Sequence, residues 1–310
     1  MKILICDKLD TLAIEELHEL GNCVDVSNEK NKKQKIKENI VDAEVVVVRS
    51  DTKINKELID ISNKLKIIGR SGVGTDNIDL AEASSRKIHV TNTPEANVIS
   101  AAELTVGLII SAARNITVAN NSVKKSEWER SQFMGVELHN KQLGLIGFGK
   151  VAKLVSTRMQ SFDMKIVFYD PFIESSTDTE KKVELDELLN TSDFISIHIP
   201  KNNETENLIS KEKLSLIKKG SVIINTSRGG LIDEDEVFSL VKENQLYSAG
   251  FDVYKTEPHK IKKEYINSKV ITLPHLGAST KEAQIRAGQQ LAKNIKDILN
   301  NDLSSVINKK

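Results

Sequence analysis

Leu143-Gly-Leu-Ile-Gly-Phe-Gly-Lys-Val-Ala152 is the stretch that decides the fold. Its first four residues form an apolar run of strand character, and Lys150–Phe162 carries the spacing of an amphipathic helix. Gly147 to Ala152 joins them as a GxGxxA pattern. Such a pattern is common by chance, but between a strand and a helix it reads as a phosphate cradle. Gly147 permits the tight turn, Gly149 lets an anion approach the backbone, and Ala152 keeps helix and strand close. The free N–H groups and the dipole at the helix start favour negative charge. The next strand, Lys165–Tyr169, runs into Asp170, 23 residues beyond Gly147. A carboxylate at that place accepts hydrogen bonds from an adenosine ribose. Asp170 repels a 2′-phosphate, and Pro171-Phe172 brings no arginine to compensate, so the predicted cofactor is NAD rather than NADP.

Working outward, further short apolar strands follow at Asp193–Ile199, Ser221–Thr226, Ser248–Val253 and Val270–Leu273. An earlier series lies at Ile3–Cys6, Val24–Val26, Val45–Val48, Lys66–Ile68 and Ile88–Val90, separated by amphipathic segments such as Leu12–Leu20 and Asn55–Ser62. Unbroken Val/Ile runs alternating with helices predict parallel sheets covered on both faces. Pro94 interrupts the first series, and the small-residue run Glu95–Arg114 reads as one long helix. The last helix starts near Ser279-Thr280-Lys281-Glu282, which supplies a cap and an early acidic residue, and runs toward Asn300. The predicted fold class is α/β, with two doubly wound parallel-sheet domains. Residues 1–93 and 285–310 form one domain, and residues 94–284 form the dinucleotide-binding domain.

Composition removes several function classes. The 310 residues carry 44 basic and 44 acidic side chains, a net charge of zero, which argues against a nucleic-acid-binding face. The basic run Lys30–Lys37 reads as a solvated helix face. The longest apolar stretch, Leu104–Ala113, is bounded by Glu103 and Arg114 and is too short to cross a bilayer. Lys2 precedes only four apolar residues before Asp7, which is no signal-peptide core. Cys6 and Cys23 share no metal-binding spacing and read as reduced core thiols. The expectation is a soluble cytoplasmic protein with no nucleic-acid, membrane or metal partner.

Three polar residues follow predicted strand ends, where open α/β sheets bind ligands: Arg228, Glu257 and His275. Each alone has a structural or solvent-facing explanation. Together, downstream of a dinucleotide cradle, they make a hydride-transfer site. Arginine forks to a carboxylate, histidine takes a hydroxyl proton near neutral pH, and glutamate orients and stabilises the imidazolium. Arg49 and Arg70 end adjacent first-domain strands and supply positive charge for a substrate group remote from Arg228.

The chain resembles the D-2-hydroxyacid dehydrogenases, and within them the D-3-phosphoglycerate dehydrogenases, over nearly its whole length. The carriers are residues 70–79 (Arg-Ser-Gly-Val-Gly-Thr-Asp-Asn-Ile-Asp), 92–97, 128–135, the cradle, Ser227-Arg-Gly-Gly230 and Pro274-His-Leu-Gly-Ala-Ser-Thr280. The resemblance implies a Rossmann NAD-binding domain, a flavodoxin-like substrate domain, a cleft between them, and dimerisation through the cofactor domain. It implies catalytic Arg228, Glu257 and His275. Besides Gly147 and Gly149 of the cradle, it implies NAD contacts at Val73, Lys150, Val151, Asp170, Ile199, Thr226, Ser227, Arg228, Asp252, His275, Leu276, Gly277 and Ala278. Substrate contacts fall at Arg49, Arg70, Ser71, Gly72 and Arg228, with Arg130 reaching a neighbouring subunit's site. The implied reaction is oxidation of 3-phospho-D-glycerate for serine synthesis. The alternatives are a hydroxypyruvate or glyoxylate reductase, another D-2-hydroxyacid dehydrogenase, or an NAD-sensing corepressor-type interaction protein. Two departures stand out. Asp51 occupies a position where some members carry a second arginine, and the chain ends at Lys310, so the serine-binding regulatory domains of longer members are expected to be absent.

Overall fold

The computed structural model describes residues 1–262 and 269–309. The chain divides into two compact units, Met1–Val98 with Ala278–Lys310, and Ile99–Gly277. The divisions at 98/99 and 277/278 differ from the expected 93/94 and 284/285, and local bonds give the reason for the first. Thr93 N–H donates to the Gly72 carbonyl and Arg286 Nε to the Ala96 carbonyl, holding residues 93–97 in the first unit. Lys310 lies outside the described residues.

Unit 1 contains β1 (Lys2–Ile5), α1 (Thr11–Leu20), β2 (Asn22–Asp25), α2 (Lys32–Ile40), β3 (Val45–Val48), α3 (Lys56–Ile61), β4 (Ile67–Arg70), α4 (Leu80–Ser85) and β5 (His89–Thr91). All its strand pairs are parallel, in the order β2-β1-β3-β4-β5, which is the flavodoxin-like doubly wound order. Every residue of β3 is buried because its alternate side chains feed two cores. Val46 and Val48 pack with Ile36, Ile40 and Leu58 on the α2–α3 side, while Val45 and Val47 face Ala13 and Leu17 of α1. The basic run forms the outer face of α2, which buries Ile36 and Ile40. Its Lys32 departs from the solvated reading by pairing with the buried Asp7 at 2.5 Å.

Unit 2 contains α5 (Val98–Ala113), α6 (Ile116–Lys124), β6 (Gln142–Ile146), α7 (Lys150–Gln160), β7 (Lys165–Tyr169), β8 (Glu180–Lys182), α8 (Leu185–Thr191), β9 (Phe194–Ile197), α9 (Lys211–Leu214), β10 (Val222–Asn225), α10 (Glu234–Lys242), β11 (Ser248–Phe251) and β12 (Val270–Thr272). The sheet order is β12-β11-β10-β9-β6-β7-β8, with all pairs parallel. Numbered from β6 this is 3-2-1-4-5-6 with one strand added, the Rossmann arrangement. The long helix starts later than expected, because residues 94–97 form a turn, and a left-handed Asn115 separates it from α6. Strand β8 (Glu-Lys-Lys) was not expected, since an edge strand with no apolar residue leaves no periodic signal.

The final helix, α11 (Lys281–Leu299), packs on α1 and β4 of unit 1 through Leu291 and Ile295, and Asn294 donates to Thr91 Oγ1 and the Asn92 carbonyl. Its cap is Thr280, whose Oγ1 accepts from Ala283 N–H at 3.1 Å. Cys6 is buried and Cys23 half-buried, both unbridged, and burial pushes both thiols up, which keeps them protonated. Among the described residues no single helix is long and apolar enough to cross a membrane.

Candidate active site

The cradle forms because β6 is buried along its last four residues and α7 buries Ala152, Val155 and Met159 against the sheet. Gly147, at φ 86°, donates its N–H to the Tyr169 carbonyl at 2.8 Å. A Cβ added there would lie 2.7 Å from the His198 carbonyl oxygen and from Ile199 Cγ2. Gly149 is different. Its backbone is extended, it caps α7, and a Cβ added to it meets nothing within 4 Å. No protein atom requires a glycine at 149, while the space above it and the free N–H groups at the start of α7 fit a pyrophosphate. Lys150 and Val151 are the first residues of that helix.

Asp170 closes the cradle's other side. Oδ2 accepts from Phe148 N–H and Oδ1 from Phe172 N–H, each at 2.9 Å. The carboxylate is therefore fixed relative to the glycine turn, with further lone pairs left for ribose hydroxyls. In His198, whose carbonyl lies against Gly147, burial drives the imidazole down to about 4, so it is neutral; Nε2 lies 2.9 Å from Ser196 Oγ.

The three candidate catalytic residues sit on loops at the carboxyl ends of the neighbouring strands β10, β11 and β12. Arg228 is aimed by its surroundings: its carbonyl accepts from Asn225 Nδ2 at 2.8 Å, and Nη1 donates to the Ser227 carbonyl at 2.7 Å. Thr226, just before it, is bonded through its hydroxyl to Thr105 of α5 at 2.6 Å. Glu257 Oε1 accepts from Tyr254 N–H at 3.1 Å, and Oε2 lies 2.8 Å from His275 Nδ1. An ionised carboxylate only accepts, so Nδ1 carries the proton and Nε2 of the half-exposed ring is left for chemistry.

Asp252 holds the histidine loop. Both its oxygens accept backbone N–H bonds, from Leu276 at 2.6 Å and Gly277 at 2.7 Å. Burial raises its carboxyl above the ordinary value against the pull of those two bonds. Two further residues tie the loops together, and sequence reasoning missed both. Glu234, at the start of α10, accepts with one oxygen from Gly230 N–H (3.0 Å) and Lys255 N–H (2.7 Å), stapling the arginine loop to the glutamate loop. Tyr254 donates its hydroxyl toward the Phe251 and Leu273 carbonyls. The loops touch so closely that a Cβ on Gly229 would fall 1.8 Å from the Tyr254 carbonyl carbon. The acidic run at 233–236 signals a helix start, but nothing in its spacing reveals the tertiary partners of Glu234.

The other predicted site residues lie elsewhere. Val73, Arg49, Arg70, Ser71, Gly72 and Ala278 belong to unit 1. Val73 accepts from Asn92 Nδ2 through its carbonyl at 2.5 Å. Arg130 stands exposed on a single 3₁₀ turn, Arg130–Phe133.

Residues 106–277, more than half of the chain, match the model of the D-isomer specific 2-hydroxyacid dehydrogenase NAD-binding domain. The chain belongs to the D-isomer specific 2-hydroxyacid dehydrogenase family. The matched residues lie within unit 2. The whole chain is 43% identical to the D-3-phosphoglycerate dehydrogenase of Methanocaldococcus jannaschii, over 99% of the chain and 59% of that protein. It is 41% identical to the hydroxypyruvate reductase of Thermotoga maritima, over 88% of the chain and 90% of that protein. The crystal structure of Aquifex aeolicus D-lactate dehydrogenase with NAD and lactic acid matches with a TM-score of 0.82 and 27% identity, covering 98% of this chain and 97% of that one. The chain spans about three fifths of the length of the phosphoglycerate dehydrogenases it matches.

Proposed function

We propose that this dehydrogenase oxidises D-2-hydroxy acids with NAD, and that its substrate is 3-phospho-D-glycerate, converted to 3-phosphohydroxypyruvate as a step toward serine. The observation that carries the reaction class is the 2.8 Å Glu257–His275 pair on loops stapled to the Arg228 loop within an NAD-binding domain. NAD held over the Gly147–Gly149 turn and Asp170 would supply the hydride acceptor for C2. His275 Nε2 takes the C2 hydroxyl proton, leaving the imidazolium paired with Glu257. Arg228 binds the substrate carboxylate through its fork and polarises the developing carbonyl. The cofactor residues we assign are Gly147, Gly149, Lys150, Val151, Asp170, Ile199, Thr226, Ser227, Asp252, Leu276 and Gly277, with Val73 and Ala278 of unit 1. We assign Arg49, Arg70, Ser71, Gly72 and Arg130 to the substrate.

The phosphorylated substrate is supported by the names of relatives at about 40% identity. A hydroxypyruvate reductase is the second reading, favoured by the Thermotoga relative that the chain covers almost completely. Turnover of purified protein with NAD on D-glycerate, D-lactate and 3-phospho-D-glycerate, and with NADH on glyoxylate, hydroxypyruvate and 3-phosphohydroxypyruvate, separates the two. Preference for the phosphorylated acid is expected; preference for glyoxylate or hydroxypyruvate reduction overturns the substrate assignment. We also propose a homodimer through unit 2, supported by the exposed apolar Trp128 (77%) and Met134 (80%), and tested by sedimentation.

A further inference from the structure

Lys8 and Arg49 stand side by side in unit 1, following β1 and β3, which are neighbours in the sheet. Arg49 Nη1 donates to the Lys8 carbonyl at 3.2 Å. The two residues line one pocket together with Ser71, Gly72, Asn97 and Gln284. Arg70 reaches over the same loop, since a Cβ on Gly72 would collide with its guanidinium.

The charges around this pocket are unevenly committed. Asp7, the residue before Lys8, is fully buried and is answered from within the protein by Lys32 Nζ, Arg49 N–H, Thr52 N–H and the Thr52 hydroxyl. Those bonds hold its carboxyl below the usual range despite burial, so it is a spent charge. They also fix the backbone from which Arg49 projects, and Asn77 secures the same loop by donating to the Arg49 and Thr52 carbonyls at 2.7 and 2.6 Å. Asp10, which shares the pocket lining, caps α1 by accepting from Leu12 N–H. Asp51 is exposed and takes the Ser50 hydroxyl. Among the described residues, neither Lys8 nor Arg49 has a carboxylate partner. Two like charges placed together without a counter-ion repel each other, and an anionic ligand relieves that repulsion.

We propose that Lys8 is a substrate-specificity residue that forms, with Arg49, the seat for the phosphate of a phosphorylated 2-hydroxy acid. This rests on the phosphoglycerate reading and deepens it, because Lys8 carries no signal in the sequence patterns that single out Arg49 and Arg70. Asp7 and Asn77 hold the arginine loop against the seat.

The test compares Lys8→Met and Lys8→Arg with the unaltered protein. With saturating NAD, Lys8→Met should raise KM for 3-phospho-D-glycerate about fivefold more than KM for D-glycerate, and Lys8→Arg should restore most of the difference. Equal weakening of both substrates, or no change in either, overturns the proposal. Calorimetric titration of 3-phospho-D-glycerate into the NAD-loaded protein needs no turnover. If Lys8→Met loses affinity while the unaltered protein oxidises only unphosphorylated acids, the phosphoglycerate reading fails and the anion seat stands. If Lys8→Met binds the phosphorylated acid as tightly as the unaltered protein, the seat fails whatever the enzyme turns over.

Discussion

His275 meets Glu257 at 2.8 Å from a backbone conformation that few side-chain-bearing residues adopt, with φ at 58°. Left-handed backbone at a non-glycine residue costs on the order of 1–3 kcal/mol and persists where its surroundings over-determine it. The surroundings here are Asp252, which accepts the next two backbone N–H groups, and Glu257, which takes the ring. The imidazole is thus presented at the end of β12 by bonds on both sides of its Cα.

Replacing His275 by Asn removes the proton acceptor but keeps a short polar side chain that tolerates the left-handed conformation. NAD affinity and folding should be retained while turnover falls about 10²–10⁴-fold, the usual scale for a positioned proton-transfer group. Glu257→Gln should also lower turnover without weakening NAD, because the ring loses the anion that stabilises its protonated form. Steady-state kinetics beside a cofactor titration checks both, and a His275→Asn enzyme with unaltered turnover removes the histidine from the mechanism.

The two cradle glycines should respond oppositely to the same change. Gly147→Ala puts a Cβ against the His198 carbonyl from a φ of 86°, so it should cost on the order of 1–3 kcal/mol of stability. Gly149→Ala meets no protein atom and suits its extended backbone, so melting should be unmoved while NAD binding weakens at least tenfold, about 1.4 kcal/mol. Thermal melting and NAD titration on both variants provide the comparison. Full NAD affinity in Gly149→Ala would show that the open space is not where the pyrophosphate lies.

This pair also shows how far the sequence could be read. The GxGxxA pattern, the Val/Ile strands and the carboxylate after β7 are local signals, and the two parallel sheets follow from them. Glu234 and Asp252 work differently, for their partners are backbone N–H groups brought near only by the folded sheet. Asp252 enters the sequence reading through family resemblance alone, and Glu234 does not enter it. Lys8 and Asp7 are equally silent, because the sheet order β1-β3-β4, and no spacing along the chain, sets them beside Arg49. Strand β8 escaped because three polar residues at a sheet edge have no hydrophobic period to detect.

Asp170 should set cofactor choice. Hydrogen bonds from ribose hydroxyls to a charged acceptor are worth about 1.5–3 kcal/mol, or roughly 10–150-fold in affinity. Asp170→Ala should weaken NAD by that order and raise the NADP/NAD efficiency ratio as the repulsion of a 2′-phosphate is lifted. Because the same carboxylate accepts from Phe148 and Phe172 N–H, the alanine variant also loosens the turn. Asp170→Asn is the sharper probe, as it keeps one of the two turn bonds through its amide oxygen while removing the charge. Equal use of NAD and NADP by the unaltered enzyme contradicts the assignment.

Acid stability should carry the signature of His198. Burial drives its imidazole from the ordinary 6.5 down to about 4, so the folded protein holds this group neutral where the unfolded chain protonates it. Between these two values the unfolded state binds more protons, so stability rises with pH; it is complete above about 6.5 and drains away as pH falls toward 4. The full swing is on the order of 3 kcal/mol. Asp252 and Glu234, whose carboxyls burial pushes up, act with the opposite sign and blunt the slope. They are common to a His198→Gln variant, in which glutamine can still bond Ser196 but cannot titrate, so the difference between the two proteins isolates the histidine. Urea unfolding at pH 7, 5.5 and 4.5 should show a clearly flatter decline for His198→Gln, even if that variant starts less stable. Parallel declines in the two proteins would mean that His198 is protonated in the folded state and that burial does not hold it neutral.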